Sequence, residues 1–151
     1  MKSGYKESNP KDRCGFVKAA FSVIPWTVIA ELGLAMLEGA LKYGRHNYRK
    51  AGVRASIYYD ALNRHMGAWW EGEDIDPESG VSHVIKAMAC LTVLRDSAIR
   101  GNWVDDRPPK APEGWLKDIN QKTKELLEKY PNPEFPYTEL DLYEEQRNVS
   151  N

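Results

Sequence analysis

Residues 26–43 read WTVIAELGLAMLEGALKY, and this stretch decides the fold class. Its apolar residues recur every three or four positions, which is the spacing of one buried face of an α-helix. Pro25 stands immediately before the pattern and Gly44 immediately after it, and both are typical of helix ends. The pattern therefore predicts a long helix with one face in a core, formed by Val28, Ile29, Leu32, Met36 and Ala40.

Three further helices are predicted, two before the proline-rich segment at residues 105–114 and one after it. The second covers about residues 56–70, and the fourth, amphipathic one covers about residues 115–130. For the third helix, Asp76 is predicted as the N-cap and Pro77 as the first helical residue, with apolar residues continuing through Ile99. Because strand signals are weak everywhere, the expected fold is an all-α helical bundle of about four main helices.

The chain is expected to hold one main domain and two accessory segments. Of its 151 residues, 42% are hydrophobic and 28% charged, which is enough for a packed core and argues against disorder throughout. We expect an irregular N-terminal arm over 1–22 and a catalytic helical core over 23–104. A proline-rich linker and amphipathic helix should follow over 105–130, and an acidic tail over 131–151.

The N-terminal segment has no apolar stretch typical of a signal peptide. The apolar run at 81–94 is interrupted by polar residues and is shorter than the ~20 residues that a membrane span needs. Two cysteines, Cys14 and Cys90, are too few for a disulfide framework. A cytoplasmic protein without a membrane partner is expected.

The formal charge of −1 conceals two adjacent segments that carry opposite net charges. Residues 1–70 carry a net charge of +6, whereas residues 71–106 carry −5. The acidic segment, residues 71–106, would repel the phosphate backbone of a nucleic acid, so nucleic-acid binding is not expected. Basic and acidic segments side by side suit a complex of a metal ion with an anionic ligand.

One face of the first predicted helix carries Glu31, Ala35, Glu38 and Lys42, spaced i, i+4, i+7 and i+11. Two carboxylates and a lysine on one face can hold a divalent cation and contact a phosphate. The alternative is a solvated stripe with an ordinary i,i+4 pair between Glu38 and Lys42.

The segment 71–78, EGEDIDPE, is an acidic turn. Its carboxylates are hard oxygen ligands that suit Mg²⁺ or Mn²⁺, and charges this crowded repel one another unless a cation lies among them. The alternative gives Asp76 and Glu78 helix-capping roles and leaves the other acids solvated. The acids are Glu71, Glu73, Asp74, Asp76 and Glu78.

The second helix places Asp60 and Arg64 on one face and His65 on another. His65 and His83 are each read either as hydrogen-bonded core residues or as functional side chains. The basic loop, residues 44–52, offers donors for phosphate oxygens, among them Asn47 and Arg49. Motifs for a phosphate-binding P-loop, a dinucleotide fold, a zinc protease, a serine hydrolase elbow and a His–Asp phosphohydrolase are all absent from the sequence.

The run from Ile24 to His83 resembles the phage-encoded, MazG-like dATP/dGTP diphosphohydrolases of the all-α nucleoside triphosphate pyrophosphohydrolase superfamily. The resemblance covers about residues 24–95. It rests on Ile24-Pro25-Trp26, Glu31, the string GALKY at 39–43, Asn47-Tyr48-Arg49, YDAL at 59–62, Arg64-His65, Trp69-Trp70, GEDIDPESG at 72–80, and His83.

The resemblance implies an oligomeric enzyme, by our expectation a homotetramer, that cleaves purine deoxynucleoside triphosphates to the monophosphate and pyrophosphate. It implies Mg²⁺ or Mn²⁺ held by acids from neighbouring helices in the patterns EExxE and ExxD. Glu31 supplies one of the three acids of the first pattern, and Glu73-xx-Asp76 has the spacing of the second. By the same resemblance the product dGMP feeds phage nucleotide metabolism in the host cytoplasm, including 2-aminoadenine synthesis.

These expectations define the predicted site. Catalysis is assigned to Glu31, Glu73 and Asp76, and the metal to these three with Asp60, Glu78 and Glu38. Substrate contacts are assigned to Trp26, Lys42, Asn47, Arg49, Arg64, His65 and His83. The alternative function is a non-enzymatic helical module that binds a partner through its C-terminal tail, because residues 105–151 match nothing catalytic.

Overall fold

The computed structural model describes residues 10–15 and 17–141. It contains the helices α1 (Pro10–Gly15), α2 (Trp26–Tyr43), α3 (Asn47–Ala51), α4 (Ala55–Trp70), α5 (His83–Arg100) and α6 (Trp115–Lys129), and the strands β1 (Val53–Arg54) and β2 (Trp103–Val104). The all-α prediction is confirmed, with a two-residue strand pair as the addition. The chain divides into two compact units, Met1–Pro108 and Pro109–Asn151.

In the first unit, α5 packs against both α2 and α4. The core cluster joins Ala35 of α2 to Val81, which precedes α5, and to Ile85 in the first turn of α5. Val28, Met88 and Ala89 pack against that cluster. Of the predicted inner face of α2, Val28 takes part in this packing, whereas Ala35 comes from the face predicted to carry Glu31, Glu38 and Lys42. Small residues such as Ala35 and Ala89 allow the helix backbones to approach closely.

The strands β1 and β2 pair with each other and so hold the start of α4 next to the end of α5. They pair in parallel, with Val53 opposite Trp103 and Arg54 opposite Val104. Since β1 precedes α4 and β2 follows α5, the two helices run antiparallel. Two-residue strands are too short to leave an alternating pattern in the sequence, which is why the pair was not predicted.

Two side chains complete this junction by satisfying helix ends. The Asn102 Nδ2 atom donates to the carbonyl oxygens of Tyr48 and Arg49, at 3.2 and 2.8 Å. Asp106 accepts from the Ser56 backbone N–H at 2.9 Å and from the Ser56 hydroxyl at 2.5 Å. Asp106 therefore caps α4 from 50 residues away, a partner that helix-capping rules based on local sequence do not find.

The predicted start of the third helix is wrong, because α5 begins at His83 and not at Pro77 after an Asp76 cap. Residues 74–83 instead fold back on themselves. The Asp76 N–H donates to the Val81 carbonyl at 2.9 Å, and the His83 N–H donates to the Asp74 carbonyl at 3.0 Å. Gly80, with φ of 70°, provides the left-handed turn that this reversal requires.

The second and fourth predicted helices are confirmed as α4 and α6. Within the N-terminal arm the structure has α1 and a 3₁₀ turn at Phe21–Val23; residues 1–9 and 16 lie outside the described residues. Of the acidic tail, residues 142–151 lie outside them as well. Among the described helices, none combines the length and apolarity that a bilayer span demands.

Candidate active site

A cavity of about 480 Å³ opens in the first unit beside α2. The C-terminal half of α2 and the first residues of the basic loop form one wall, and side chains of α4 and α5 form the other. Its polar and aromatic lining comes from Glu38, Lys42, Tyr43, Arg45, His46, Asn47, Tyr48, Tyr58, His65 and Lys86. The volume lies within the range of small-molecule sites.

Alternating lysines and carboxylates form a network at one side of this cavity. The Lys86 Nζ atom donates to Glu38 Oε2 at 2.5 Å and lies 3.7 Å from Asp76 Oδ2. The Lys42 Nζ atom lies 2.7 Å from Glu38 Oε1 and 3.0 Å from Glu78 Oε1. This lysine–carboxylate network of Glu38, Lys42, Asp76, Glu78 and Lys86 joins α2, the acidic turn and α5.

The ionisation of the network follows from these contacts. Hydrogen bonds from Lys42 and then Lys86 lower the pKa of Glu38, although burial opposes them. The same contacts with Glu38 and Glu78 raise the pKa of Lys42. For Asp76 the main cause of a lowered pKa is the hydrogen bond that the Ser79 hydroxyl donates to Oδ2 at 2.5 Å. Glu38 and Asp76 are therefore ionised and the Lys42 ammonium charged at neutral pH.

A second set of contacts connects the acidic turn to α4 through His83. The His83 side chain is buried, with Nε2 2.7 Å from Glu73 Oε1 and Nδ1 2.9 Å from His65 Nδ1. The two imidazole centroids are 5.2 Å apart. Burial, and then the neighbouring His83, lower the pKa of His65. We call Glu73, His83 and His65 the histidine chain.

The structure brings eight of the thirteen predicted site residues together. Glu38, Lys42, Asn47 and His65 line the cavity. Asp76, Glu78, Glu73 and His83 do not line it, but are tied to residues that do by the contacts above.

The other predicted residues lie apart from the cavity lining. Trp26 is 77% exposed, and Glu31, Asp60 and Arg64 are exposed as well. Arg49 forms a bidentate pair with Asp96 of α5, at 2.9 and 2.7 Å, which fastens α3 to α5. Substrate and metal roles for these residues stay predictions.

The main omission from the predicted site is Lys86. Its signal was a single lysine inside the apolar run of α5, three residues after His83 and four before Cys90. That spacing keeps it on the inward face, where a charged side chain needs partners. Tyr43, Tyr48 and Tyr58 were also missed, because tyrosines at helical spacing are typical of an ordinary core.

The carboxylates of the site offer oxygen donor atoms that suit a metal ion, but in the described part of the chain they are not preassembled into a complete set of ligands. Within residues 10–15 and 17–141, no group of three or more His, Cys, Asp or Glu side chains is arranged to hold one. Glu38 and Asp76 nevertheless converge on a single cation, the Lys86 ammonium. Their hard oxygen atoms are the ligand type that Mg²⁺ and Mn²⁺ prefer.

A comparison with protein-family models identifies the family to which the residues of this site belong. The family model described as dATP/dGTP diphosphohydrolase, N-terminal, matches residues 8–107, about two thirds of the chain. The matched range contains the cavity lining, the lysine–carboxylate network and the histidine chain. No curated protein and no solved structure matches the chain. Through residues 8–107, the chain belongs to the dATP/dGTP diphosphohydrolase family.

Proposed function

We propose that this protein hydrolyses dGTP and dATP between the α- and β-phosphates and releases the monophosphate and pyrophosphate. Membership of the family supports a hydrolase that acts on these nucleotides. The observation that carries the proposal is the cavity itself, because Lys42 and Lys86 contact the Glu38 carboxylate there and Arg45 adds a third cation to the lining. A triphosphate needs such cations, and its hydrolysis needs charge neutralisation and an activated water.

The lining suggests how a nucleotide lies in the cavity. Lys42 and Lys86 stand at the network side and would contact the phosphates. Tyr43, Tyr48 and Tyr58 offer aromatic surface for the purine, in place of the exposed Trp26. Burial raises the pKa of Tyr58, so its hydroxyl stays protonated and can donate a hydrogen bond to the base.

We propose that the reaction depends on Mg²⁺ or Mn²⁺. When bound, such an ion neutralises phosphate charge and lowers the pKa of a coordinated water. Glu38, Asp76 and Glu78 would hold it, with Glu73 and the predicted ligands Glu31 and Asp60 as further donors. In the network those three acids face ammonium groups, so Lys42 and Lys86 would turn from the carboxylates to the phosphates when substrate binds.

The biological setting is proposed from the sequence resemblance. The enzyme would act as a homotetramer in the cytoplasm, the host cytoplasm if a phage encodes it. Its dGMP would then supply phage nucleotide metabolism, with 2-aminoadenine synthesis as one use.

The test is a product panel. The full chain is incubated with the eight common ribo- and deoxyribonucleoside triphosphates, with Mg²⁺, Mn²⁺ or EDTA, and the products are separated. We expect dGTP and dATP to give monophosphate and pyrophosphate, with no turnover in EDTA. Release of inorganic phosphate alone, or no turnover of any nucleotide, would refute the proposal. Turnover in EDTA would refute metal dependence alone.

A variant pair locates the activity in the cavity. Asp76→Asn should lower kcat by about 10²-fold or more, because it removes a charge that faces Lys86 and a proposed metal ligand. Asp105→Asn is the matched control, since Asp105 pairs only with the surface residue Arg107 among its described neighbours. Equal activities of the two variants would contradict the site assignment.

A second candidate function is a helical interaction module without catalysis. It is favoured by the second unit, in which Leu116, Leu126 and Leu127 of α6 are 60, 58 and 67% exposed. The product panel decides between the two, because a pure interaction module turns over no nucleotide.

A further inference from the structure

One cavity residue, Gly39, is a glycine that the fold does not require. It lies in the interior of α2, where glycine is less favourable than alanine because it loses more conformational freedom on folding. Its φ is not positive, so its backbone conformation suits any residue. In the described part of the chain, a Cβ at Gly39 would meet nothing within 4 Å beyond its chain neighbours and the backbone of its own helix. The open space beside it belongs to the cavity, which Gly39 lines.

Gly39 lies between the charged and the aromatic sides of the cavity. At ~100° per residue, position 39 is about 60° around α2 from Lys42 and about 40°, in the other direction, from Tyr43. Lys42 belongs to the lysine–carboxylate network. Tyr43 belongs to the aromatic lining and is near enough to Tyr58 to act electrostatically on it. A ligand that contacts both sides of the cavity must therefore pass over Gly39.

The surface of α2 at Gly39 is apolar. The lining residues next to it on this helix are Met36 and Ala40, and its own backbone N–H and C=O groups are bonded within the helix. Glycine offers no side chain that could donate or accept a hydrogen bond. A hydroxyl group held against this surface would lose its water without gaining a partner, whereas an apolar CH₂ group would not incur that cost.

A nucleoside triphosphate presents its parts in the same order as the cavity. Its sugar lies between the phosphates, which would contact Lys42 and Lys86, and the base, which would contact the tyrosines. The sugar would therefore rest on α2 at Gly39. A methyl group at position 39 would project into the space that the sugar needs, which explains why glycine stands where alanine would make a more stable helix.

We propose that deoxyribose packs on Gly39 with its 2′ carbon toward α2, and that this contact selects deoxyribonucleotides over ribonucleotides; this inference rests on the proposed function. The 2′-CH₂ group of deoxyribose covers the apolar surface, whereas the 2′-hydroxyl of ribose is desolvated there without a partner. An apolar pocket rejects a substrate with an added hydroxyl by about 10²-fold, and we expect kcat/KM for dGTP to exceed that for GTP by this factor. Gly39 determines specificity and takes no part in the reaction itself.

The first experiment varies the sugar and leaves the protein unchanged. The full chain is given dGTP, GTP and 2′-fluoro-2′-deoxyguanosine triphosphate, whose fluorine is similar in size to a hydroxyl but weakly hydrated. We expect the fluoro analogue to be hydrolysed nearly as well as dGTP, and GTP to be rejected. Equal kcat/KM for GTP and dGTP, or rejection of the fluoro analogue as strong as that of GTP, would overturn the inference while the proposed function stands. If no nucleotide is hydrolysed, the proposed function fails.

The second experiment adds one methyl group to the cavity surface. Gly39→Ala should raise KM for dGTP by about 10-fold or more, with a smaller effect on kcat, while Tm does not fall. Gly67→Ala is the matched control, because Gly67 of α4 also has open space beside it but is exposed and outside the cavity lining. This control should leave KM unchanged.

Two results would contradict the role of Gly39. One is a Gly39→Ala protein that hydrolyses dGTP with the KM of the unmodified chain. The other is a change in oligomer size of Gly39→Ala, measured by light scattering, because the glycine would then serve the packing of subunits rather than the binding of a sugar.

Discussion

At the scale of the residue, Lys86 holds two helices and the acidic turn together. Its side chain is only 16% exposed, and its ammonium faces Glu38 on one side and Asp76 on the other. A buried ammonium is stable only with such partners, and each of these carboxylates is itself largely buried. Lys86 therefore contributes both to the stability of the fold and to the charge of the cavity.

Lys86→Met should separate these two contributions. It keeps an unbranched side chain but removes the charge, which leaves Glu38 and Asp76 with less compensation. We expect the free energy of unfolding to fall by about 1–3 kcal/mol and KM for dGTP to rise by about 10-fold. Urea unfolding and initial rates measure the two effects.

The matched control for this variant is Lys124→Met. Lys124 forms an i,i+4 pair with Glu128 in which both side chains are more than 60% exposed. Such surface pairs contribute a few tenths of a kcal/mol, so stability and KM should change little. Equal losses in the two variants would show that the position of Lys86 is unimportant.

Single residues of the site were predictable where local spacing decides their position. Glu38 and Lys42 form the i,i+4 pair that their spacing allows, and they also reach the cavity. Glu31 shares their helical face but is exposed to solvent, which the spacing alone does not reveal. Arg49 is a suitable phosphate donor by type, yet its partner Asp96 lies 47 residues away, which no local pattern reveals.

At the scale of the element, the start of α5 shows where local rules stop. Asp76 and Pro77 are good residues for a helix start, and Asp76 does accept a hydrogen bond from the Glu78 N–H, at 3.3 Å. The backbone hydrogen bonds across residues 74–83 nevertheless replace the first two predicted turns of helix. This pairing positions Glu73 to reach His83, so the departure from the predicted helix builds part of the candidate site.

Gly52 is required by the junction of β1 and β2. A Cβ at this position would lie 2.5 Å from the Asn102 carbonyl oxygen, and the backbone has φ of +76°. Gly52→Ala should therefore lower the free energy of unfolding by about 1–3 kcal/mol, measured by urea unfolding. In contrast, Gly67→Ala in α4 meets open space and should stabilise by up to about 1 kcal/mol. A stable Gly52→Ala protein would contradict the assigned geometry.

Asp106 should show its capping role through pH as well as through mutation. Hydrogen bonds from Ser56 lower its pKa below the ordinary value of 3.8, so the stabilisation is complete above that pH and is lost as pH falls through the lowered pKa. Asp106→Ala should lower Tm by several degrees at pH 7, and the difference from the unmodified chain should shrink toward pH 2. Asp105→Ala, which affects only a surface ion pair with Arg107, should leave Tm nearly unchanged.

At the scale of the whole molecule, the candidate site and α6 belong to different compact units, Met1–Pro108 and Pro109–Asn151. All of the cavity lining lies within Met1–Pro108, and the family match ends at residue 107. Ending the chain after Pro108 should therefore leave a folded protein that retains nucleotide hydrolysis. Circular dichroism and the rate of pyrophosphate release from dGTP check this.

The same truncation tests what the second unit does. Light scattering on the full and truncated chains gives the oligomeric state, for which a homotetramer is our prediction. If truncation abolishes activity and dissociates the oligomer together, the second unit assembles the enzyme. If both properties survive, the exposed apolar side chains of α6 are free to serve another partner.

The pairing of β1 with β2 also has a consequence for folding kinetics. It joins residues that are 50 positions apart, Val53 with Trp103, and it can close only after α4 and α5 have come together. Such a contact is expected to form after the rate-limiting step of folding. Weakening it, as in Gly52→Ala, should therefore accelerate unfolding and leave the folding rate almost unchanged. The strand pair would then set the lifetime of the native state rather than the speed at which it is reached.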